Sequence, residues 1–331
     1  MNSTDKPLIA IIADNHDGKR FDQALAELFP DYSRSRLQTW IKGGRVSVDG
    51  ALVQQPRARV QPGQRVELRP EIETISTSAA EPVELNIVFE DADLLVVNKP
   101  AGLVVHPGAG NPGGTMMNGL LHYAPELSAL PRAGILHRLD KETSGLLLVA
   151  RSMVAHTHLV RALEQRQIRR EYRAVCNGRL TAGGTIEAPI GRHRTQRVRM
   201  AVTEGGKPAV THYRVLTRFA SHTFVAVRLE TGRTHQIRVH FAHRQLPLVG
   251  DPVYGGRLRI PAGASEELQT ELRAFRRQAL HACDLGFEHP VSNELMAFHA
   301  PLPDDLMGLL QTLADGCDNV SDNDFEHMQW P

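Results

Sequence analysis

The chain is poor in cysteine, in aromatic residues and in long apolar runs. Its 331 residues contain three cysteines, Cys176, Cys283 and Cys317, far apart in sequence. An odd and dispersed set rules out a disulfide framework and provides no CxxC pair for zinc. It fits a reducing compartment, so the expected location is the cytoplasm. The N-terminal apolar stretch at 8–13 is six residues long, too short for a signal-peptide core or a membrane span. There is no P-loop, no GxGxxG at a strand-to-helix turn and no HxE…PCxxC deaminase set. His106, His122, His156, His158, His193 and His281 are scattered without ligand spacing. The sequence therefore predicts no metal, no small-molecule cofactor and no membrane partner.

What the chain does have is charge sorted into blocks beneath a formal net charge of +1. Residues 18–69 hold ten Lys/Arg against five Asp/Glu, and residues 151–200 hold eleven Arg against three Glu. Residues 71–98 carry seven acids and no Lys or Arg, and residues 313–331 carry five acids and no Lys or Arg. Two separate arginine-rich blocks point to a polyanion-binding face, with RNA as the expected partner. A hydrophobic content of 41% and this length allow two domains, each with a core.

Local patterning divides the chain. Residues 1–17 read as an extended arm. Phe21, Ala24, Leu25 and Leu28 have helical spacing, and Pro30 ends that helix. Ser33 stands at the N-cap of a second helix that stops at Gly43-Gly44, and a strand, an Asp49-Gly50 turn and another strand follow. Residues 70–82 read as a linker. From 83 the chain becomes rich in strands, expected at 87–90, 94–98, 146–150, 172–175, 209–216 and 223–229, with helices at 115–122, 155–165, 235–243 and 303–313. The irregular order predicts an α+β domain over 83–313 with a mixed, largely antiparallel sheet, followed by a disordered acidic tail at 314–331.

Three segments carry chemistry. The run HRLDKETSG at 137–145 sets Asp140 behind His137 and Arg138, just before the apolar run 146–150. Taken alone, an Asp in such a place is a turn former. The run GRTHQIRVH at 232–240 supplies Arg238, a cation that never deprotonates and keeps a partly buried carboxylate ionised. A surface acid such as Glu230 is the plainer partner for it. Tyr172 lies in an alternating strand pattern, facing the same way as Arg170 and Ala174, and is either a core tyrosine or a platform for a nucleobase.

In their order, these segments resemble the RluA-type branch of the pseudouridine synthases. NKPAGLVVHPG at 98–108 and LVGDPVYGG at 248–256 match two further motifs of the family. The resemblance implies the pseudouridine synthase fold, with Asp140 as nucleophile, Tyr172 stacked on the target base and Arg238 ion-paired to Asp140. It makes Arg138 the base-flipping arginine, and His106 and Arg233 further RNA contacts. It also implies a cofactor-free isomerisation. Residues 18–69 resemble an S4 RNA-binding domain, which puts Arg20, Ser33, Arg34, Ser35, Lys42 and Arg45 on phosphates. The segments 105–115 and 256–279 resemble the members that act on large-subunit ribosomal RNA, implying three uridines of the helix 69 stem-loop and the rRNA or assembling large subunit as partner. A sister synthase acting on tRNA or another rRNA site, and a non-catalytic RNA-binding assembly factor, remain open at this point.

Overall fold

The structure, a computed structural model, describes residues 7–29, 32, 34–69, 79–108, 110–196, 199–315, 325 and 328, without the side chains of residues 35 and 36. Ser33, most of the expected linker and most of the acidic tail lie outside the described residues. The chain forms two compact units, Met1–Thr74 and Ile75–Pro331.

In the first unit, α1 (Phe21–Leu28) and α2 (Arg34–Lys42) cover a four-stranded sheet of β1 (Leu8–Ile11), β2 (Val46–Val48), β3 (Ala51–Leu52) and β4 (Arg65–Leu68), in the order β1-β4-β2-β3. Phe21, Ala24 and Leu25 of α1 meet Leu37, Trp40 and Ile41 of α2 over Val46, Val66 and Leu68. The expected arm at 1–17 is corrected from residue 8 onward. Leu8–Ile11 pairs antiparallel with β4, Leu8 opposite Leu68, because an apolar, β-branched run completes an otherwise open sheet edge.

The second unit is built on a nine-stranded sheet. Its strands are β5 (Ile87–Glu90), β6 (Leu94–Lys99), β7 (Ser144–Ala150), β8 (Arg169–Asn177), β9 (Gly184–Glu187), β12 (Val210–Arg218), β13 (His222–Leu229), β14 (Leu280–Glu288) and β15 (Leu295–His299). A separate hairpin joins β10 (Ile190–Arg192) to β11 (Met200–Val202). The order is β5-β6-β7-β14-β8-β13-β12-β9, with β15 on β14, and the β7–β14 pairing is parallel. Both faces are covered. Leu147, Val149, Tyr172 and Val227 face a core shared with α3 (Met116–Tyr123) and α5 (Gln236–His243). Leu146, Leu148 and Leu285 face α4 (Met153–Glu164), while Val175 and Phe224 face α7 (Asp304–Asp315). Coverage on both faces explains why 144–150 is fully buried and reads as a continuous run rather than an alternation.

The architecture is α+β with a mostly antiparallel sheet, as expected. β14 and α6 (Glu266–Ala274) were not anticipated. β14 buries His281 rather than an aliphatic side chain, its ring held by Ser144 Oγ at 2.9 Å and the Ala300 carbonyl at 3.2 Å, so the apolar signature is broken. Gly145, at φ 114°, is required where β7 meets β14, since a Cβ there would lie 2.1 Å from the Ala282 carbonyl oxygen. The disordered-tail expectation is corrected for the described part. Phe325 is buried edge-on against Phe224, and the Met328 carbonyl accepts from Arg173 at 2.5 Å. These apolar anchors outweigh the acidic composition around them.

Candidate active site

The loop before β7 is pinned by buried polar groups. Asp140 O accepts from Thr143 N–H at 3.0 Å, and Thr143 Oγ1 accepts from Gln278 Nε2 at 2.9 Å. Lys99 is fully buried, and its Nζ donates to the carbonyls of Pro100, Leu103 and Lys141 at 2.6, 2.9 and 2.9 Å. Three acceptors use all three N–H bonds of an ammonium. Burial pushes Lys99 down to about 7, and the charges of Glu142 and Asp140 oppose it. His137 accepts the Leu148 N–H, and burial, aided by Arg170, drives its ring down to about 3, so it stays neutral. With the backbone held this way, the Asp140 carboxylate is left facing the cleft.

Arg238, on the first turns of α5, donates from Nη1 to Asp140 Oδ2 at 2.8 Å. Its Nε and Nη2 form a two-point fork with Asp251 at 2.7 and 2.9 Å. Asp251 Oδ1 also accepts the N–H groups of Val253 and Tyr254. Burial raises Asp251, but Arg238 and these N–H groups outweigh it and hold the carboxyl below its usual range. Burial also works against the Arg238 cation, and its two carboxylate partners outweigh that, so it is more firmly charged than an ordinary arginine. Glu230 is not its partner, being paired with His212 at 2.7 Å and with Arg166. Tyr172 projects from β8 into the same cleft, 5% exposed, and burial raises its hydroxyl.

The cleft has a volume of about 1060 Å³, and Asp140, Tyr172, Arg238, Arg138, Arg233 and His106 all line it. All six residues predicted for this site in the second unit are thus brought together. Burial, followed by the charges of Arg132 and Arg138, holds His106 down to about 4, so the ring is neutral near pH 7. Three further residues of the wall, Arg132, Arg166 and His235, have φ of 54°, 60° and 56°. Left-handed backbone at a non-glycine residue costs about 1–3 kcal/mol and gathers at functional sites.

In the first unit Arg20 and Arg34 are part exposed and share one carboxylate. Both are drawn onto the buried Asp22, at 3.0 and 2.8 Å, with Gln38 donating at 2.6 Å, because a sealed carboxylate needs such donors. Lys42 and Arg45 are exposed. Ser33 lies outside the described residues, as does the Ser35 side chain. Among the described residues, Glu171, Cys283 and Asp284 form one cluster of potential metal ligands, but Glu171 is already paired with Arg173 and Arg228.

Sequence reasoning missed Asp251 and Tyr254. Both stand in the LVGDPVYGG run, whose Gly-Asp-Pro turn was the available signal. Nothing local marks Asp251 as a buried partner of Arg238.

In the second unit a carboxylate held by a guanidinium shares one cleft with a tyrosine ring, beside a largely antiparallel sheet. The profile described as RNA pseudouridylate synthase matches residues 93–243, and that of the S4 domain matches residues 19–66. Ribosomal large subunit pseudouridine synthase D of Vibrio parahaemolyticus is 54% identical over 302 residues, covering 91% of this chain and 93% of that protein. The protein of the same name from Escherichia coli is 54% identical over 306 residues, covering 92% and 94%. Among solved structures, human RNA Pseudouridylate Synthase Domain Containing 4 aligns with a TM-score of 0.55 and 26% identity over 69% of this chain and 92% of that one. The chain belongs to the RNA pseudouridine synthase family and is an isomerase of that class with an N-terminal S4 domain.

Proposed function

We propose that the protein isomerises uridine to pseudouridine in large-subunit ribosomal RNA, at three uridines of the helix 69 stem-loop, acting in the cytoplasm on the rRNA or the assembling subunit. Residues 18–69 hold RNA and residues 83–313 perform the chemistry. The reading is supported by relatives, 54% identical over nearly the whole chain, that are named ribosomal large subunit pseudouridine synthases, and by the meeting of Asp140, Tyr172 and Arg238 in one cleft.

The N1–C1′ bond breaks, the uracil turns, and a C5–C1′ bond forms. C5 loses a proton and N1 gains one, so the reaction is redox-neutral and transfers nothing outside the nucleotide. Asp140 supplies the carboxylate that either attacks C1′ or assists loss of a sugar proton to a glycal. Arg238 holds it in place through one oxygen. Extruding the uridine costs a few kcal/mol, and stacking on Tyr172 returns about 1–3 kcal/mol. Arg138, exposed at the rim, fills the place the base leaves, while Arg233 and His106 contact the flanking nucleotide.

The carrying observation is the 2.8 Å contact between Arg238 Nη1 and Asp140 Oδ2 at the floor of the cleft. The test incubates wild type and Asp140→Ala with large-subunit rRNA that lacks the modification and maps pseudouridine by site. New pseudouridine in helix 69 with wild type alone supports the reading. Full activity of Asp140→Ala, or modification only elsewhere, overturns the mechanism or the target respectively.

A further inference from the structure

We propose that Tyr254 and His235 form a positioning pair that sets the second oxygen of Asp140, the one Arg238 does not hold. The proposal rests on the reading of Asp140 as the reacting carboxylate. His235 caps the start of α5 in left-handed backbone, and its ring lies in the cleft wall. Its Nε2 is 3.8 Å from Asp140 Oδ1, and its Nδ1 is 2.8 Å from the Tyr254 hydroxyl. Met200 N–H donates to that same hydroxyl at 2.9 Å.

These three contacts select a tautomer. Were Nδ1 protonated, the phenolic oxygen would accept twice and its own proton would face no acceptor among the described residues. With Nδ1 bare, the hydroxyl accepts from Met200 and donates to His235, and every group is satisfied. The imidazole proton then sits on Nε2 and faces Asp140. The charged groups around the ring are Asp140, Arg238, Asp251 and Arg138, with Tyr254 at its other nitrogen. Burial outweighs them and keeps the ring on the neutral side.

Arg238 grips Oδ2 alone, which leaves the carboxylate able to swing about its Cβ–Cγ bond. A second donor at Oδ1 removes that freedom and aims the lone pair that reacts. At 3.8 Å the contact is open, and catalytic contacts of this kind tighten when substrate fills the site. The Tyr254 ring also lies 5.1 Å from the Arg238 guanidinium, so one side chain braces both donors to Asp140.

The experiment combines imidazole nitrogen NMR on the wild-type protein with turnover of a helix 69 transcript by Tyr254→Phe, His235→Asn and the double variant. A bare Nδ1 and a protonated Nε2 are expected for His235 in the wild type. Tyr254→Phe keeps the ring on Arg238 but loses the hydroxyl, and kcat should fall about fivefold, the worth of one neutral hydrogen bond, with KM unchanged. His235→Asn should lower kcat by roughly 10- to 100-fold, the scale of a misaimed reacting group. The double variant should match His235→Asn, because Tyr254 acts through the histidine. A protonated Nδ1 in the wild type, or losses that multiply in the double variant, overturn the pair. Full turnover by His235→Asn while Asp140→Ala is dead overturns the pair but spares the nucleophile. Turnover by Asp140→Ala removes the reading beneath it. Should a variant fail to fold, the wild-type spectrum still decides the tautomer.

Discussion

Each unit of the molecule has a small ionic centre around a sealed carboxylate, with opposite arithmetic. In the first unit one carboxylate, Asp22, holds two guanidinium groups, Arg20 and Arg34, whose side chains are 34% and 44% exposed. In the second, one guanidinium, Arg238, is held by the buried Asp251 and presents its Nη1 to Asp140. The first centre has positive charge left over, displayed to solvent. The second has negative charge left over, displayed to a cleft. The former suits attraction of a phosphate backbone and the latter suits chemistry at a sugar carbon. The same two residue types serve both, and the count and depth of each decide which.

Four changes test the contrast. The largest effect belongs to Asp140→Asn, which removes the surplus carboxylate. Turnover should fall by at least about 10³-fold with RNA affinity nearly unchanged, read by single-turnover assay and filter binding.

Next comes Asp251→Asn, which unties Arg238. Removing one partner of a buried ion pair costs about 3–5 kcal/mol, so a clearly lower Tm and reduced kcat should appear together. Asp251 titrates below its unfolded value when folded. Its contribution is therefore complete above the unfolded value, near 4, and is lost as pH falls through the folded one. The share of stability owed to Asp251 should be lost only in that acid range, and the variant should lack that share, as measured by melting wild type and variant from pH 7 down to pH 3.

Asp22→Asn is smaller. Burial raises Asp22, but the hydrogen bonds of Gln38, Arg34 and Arg20 outweigh it. Solvent screens both arginines, so about 1–2 kcal/mol of stability of the first unit should be lost, along with RNA affinity, while kcat at saturating RNA holds. The smallest effect is that of Lys42→Ala. It should weaken binding uniformly across RNA sequences and reduce the slope of log affinity against log salt by about one. A loss of kcat in either first-unit variant, or of affinity alone in Asp140→Asn, would break the comparison.

Legibility followed the range of the interaction. The helices at 21–28 and 34–42 were visible in apolar spacing, and β7 in its unbroken aliphatic run. The cleft residues were visible through motif order and resemblance. β14 was not, because its centre buries His281 through partners at residues 144 and 300. The tie of Arg20 and Arg34 to Asp22 was not legible, because it depends on how α1 packs against α2. Phe325 was read as part of a disordered tail because composition does not reveal a waiting aromatic pocket.

By itself, the sequence determined the helices and apolar strands with a clear local pattern and which residue types stand ready for chemistry, because those follow from neighbours a few positions away. Only the tertiary structure decided that Arg238 reaches Asp140 across 98 residues, that Asp251 ties it from behind, and that Tyr254 orients His235. Such contacts depend on strand register and on where loops return to the sheet. Periodicity along the chain carries no record of which distant side chains meet there.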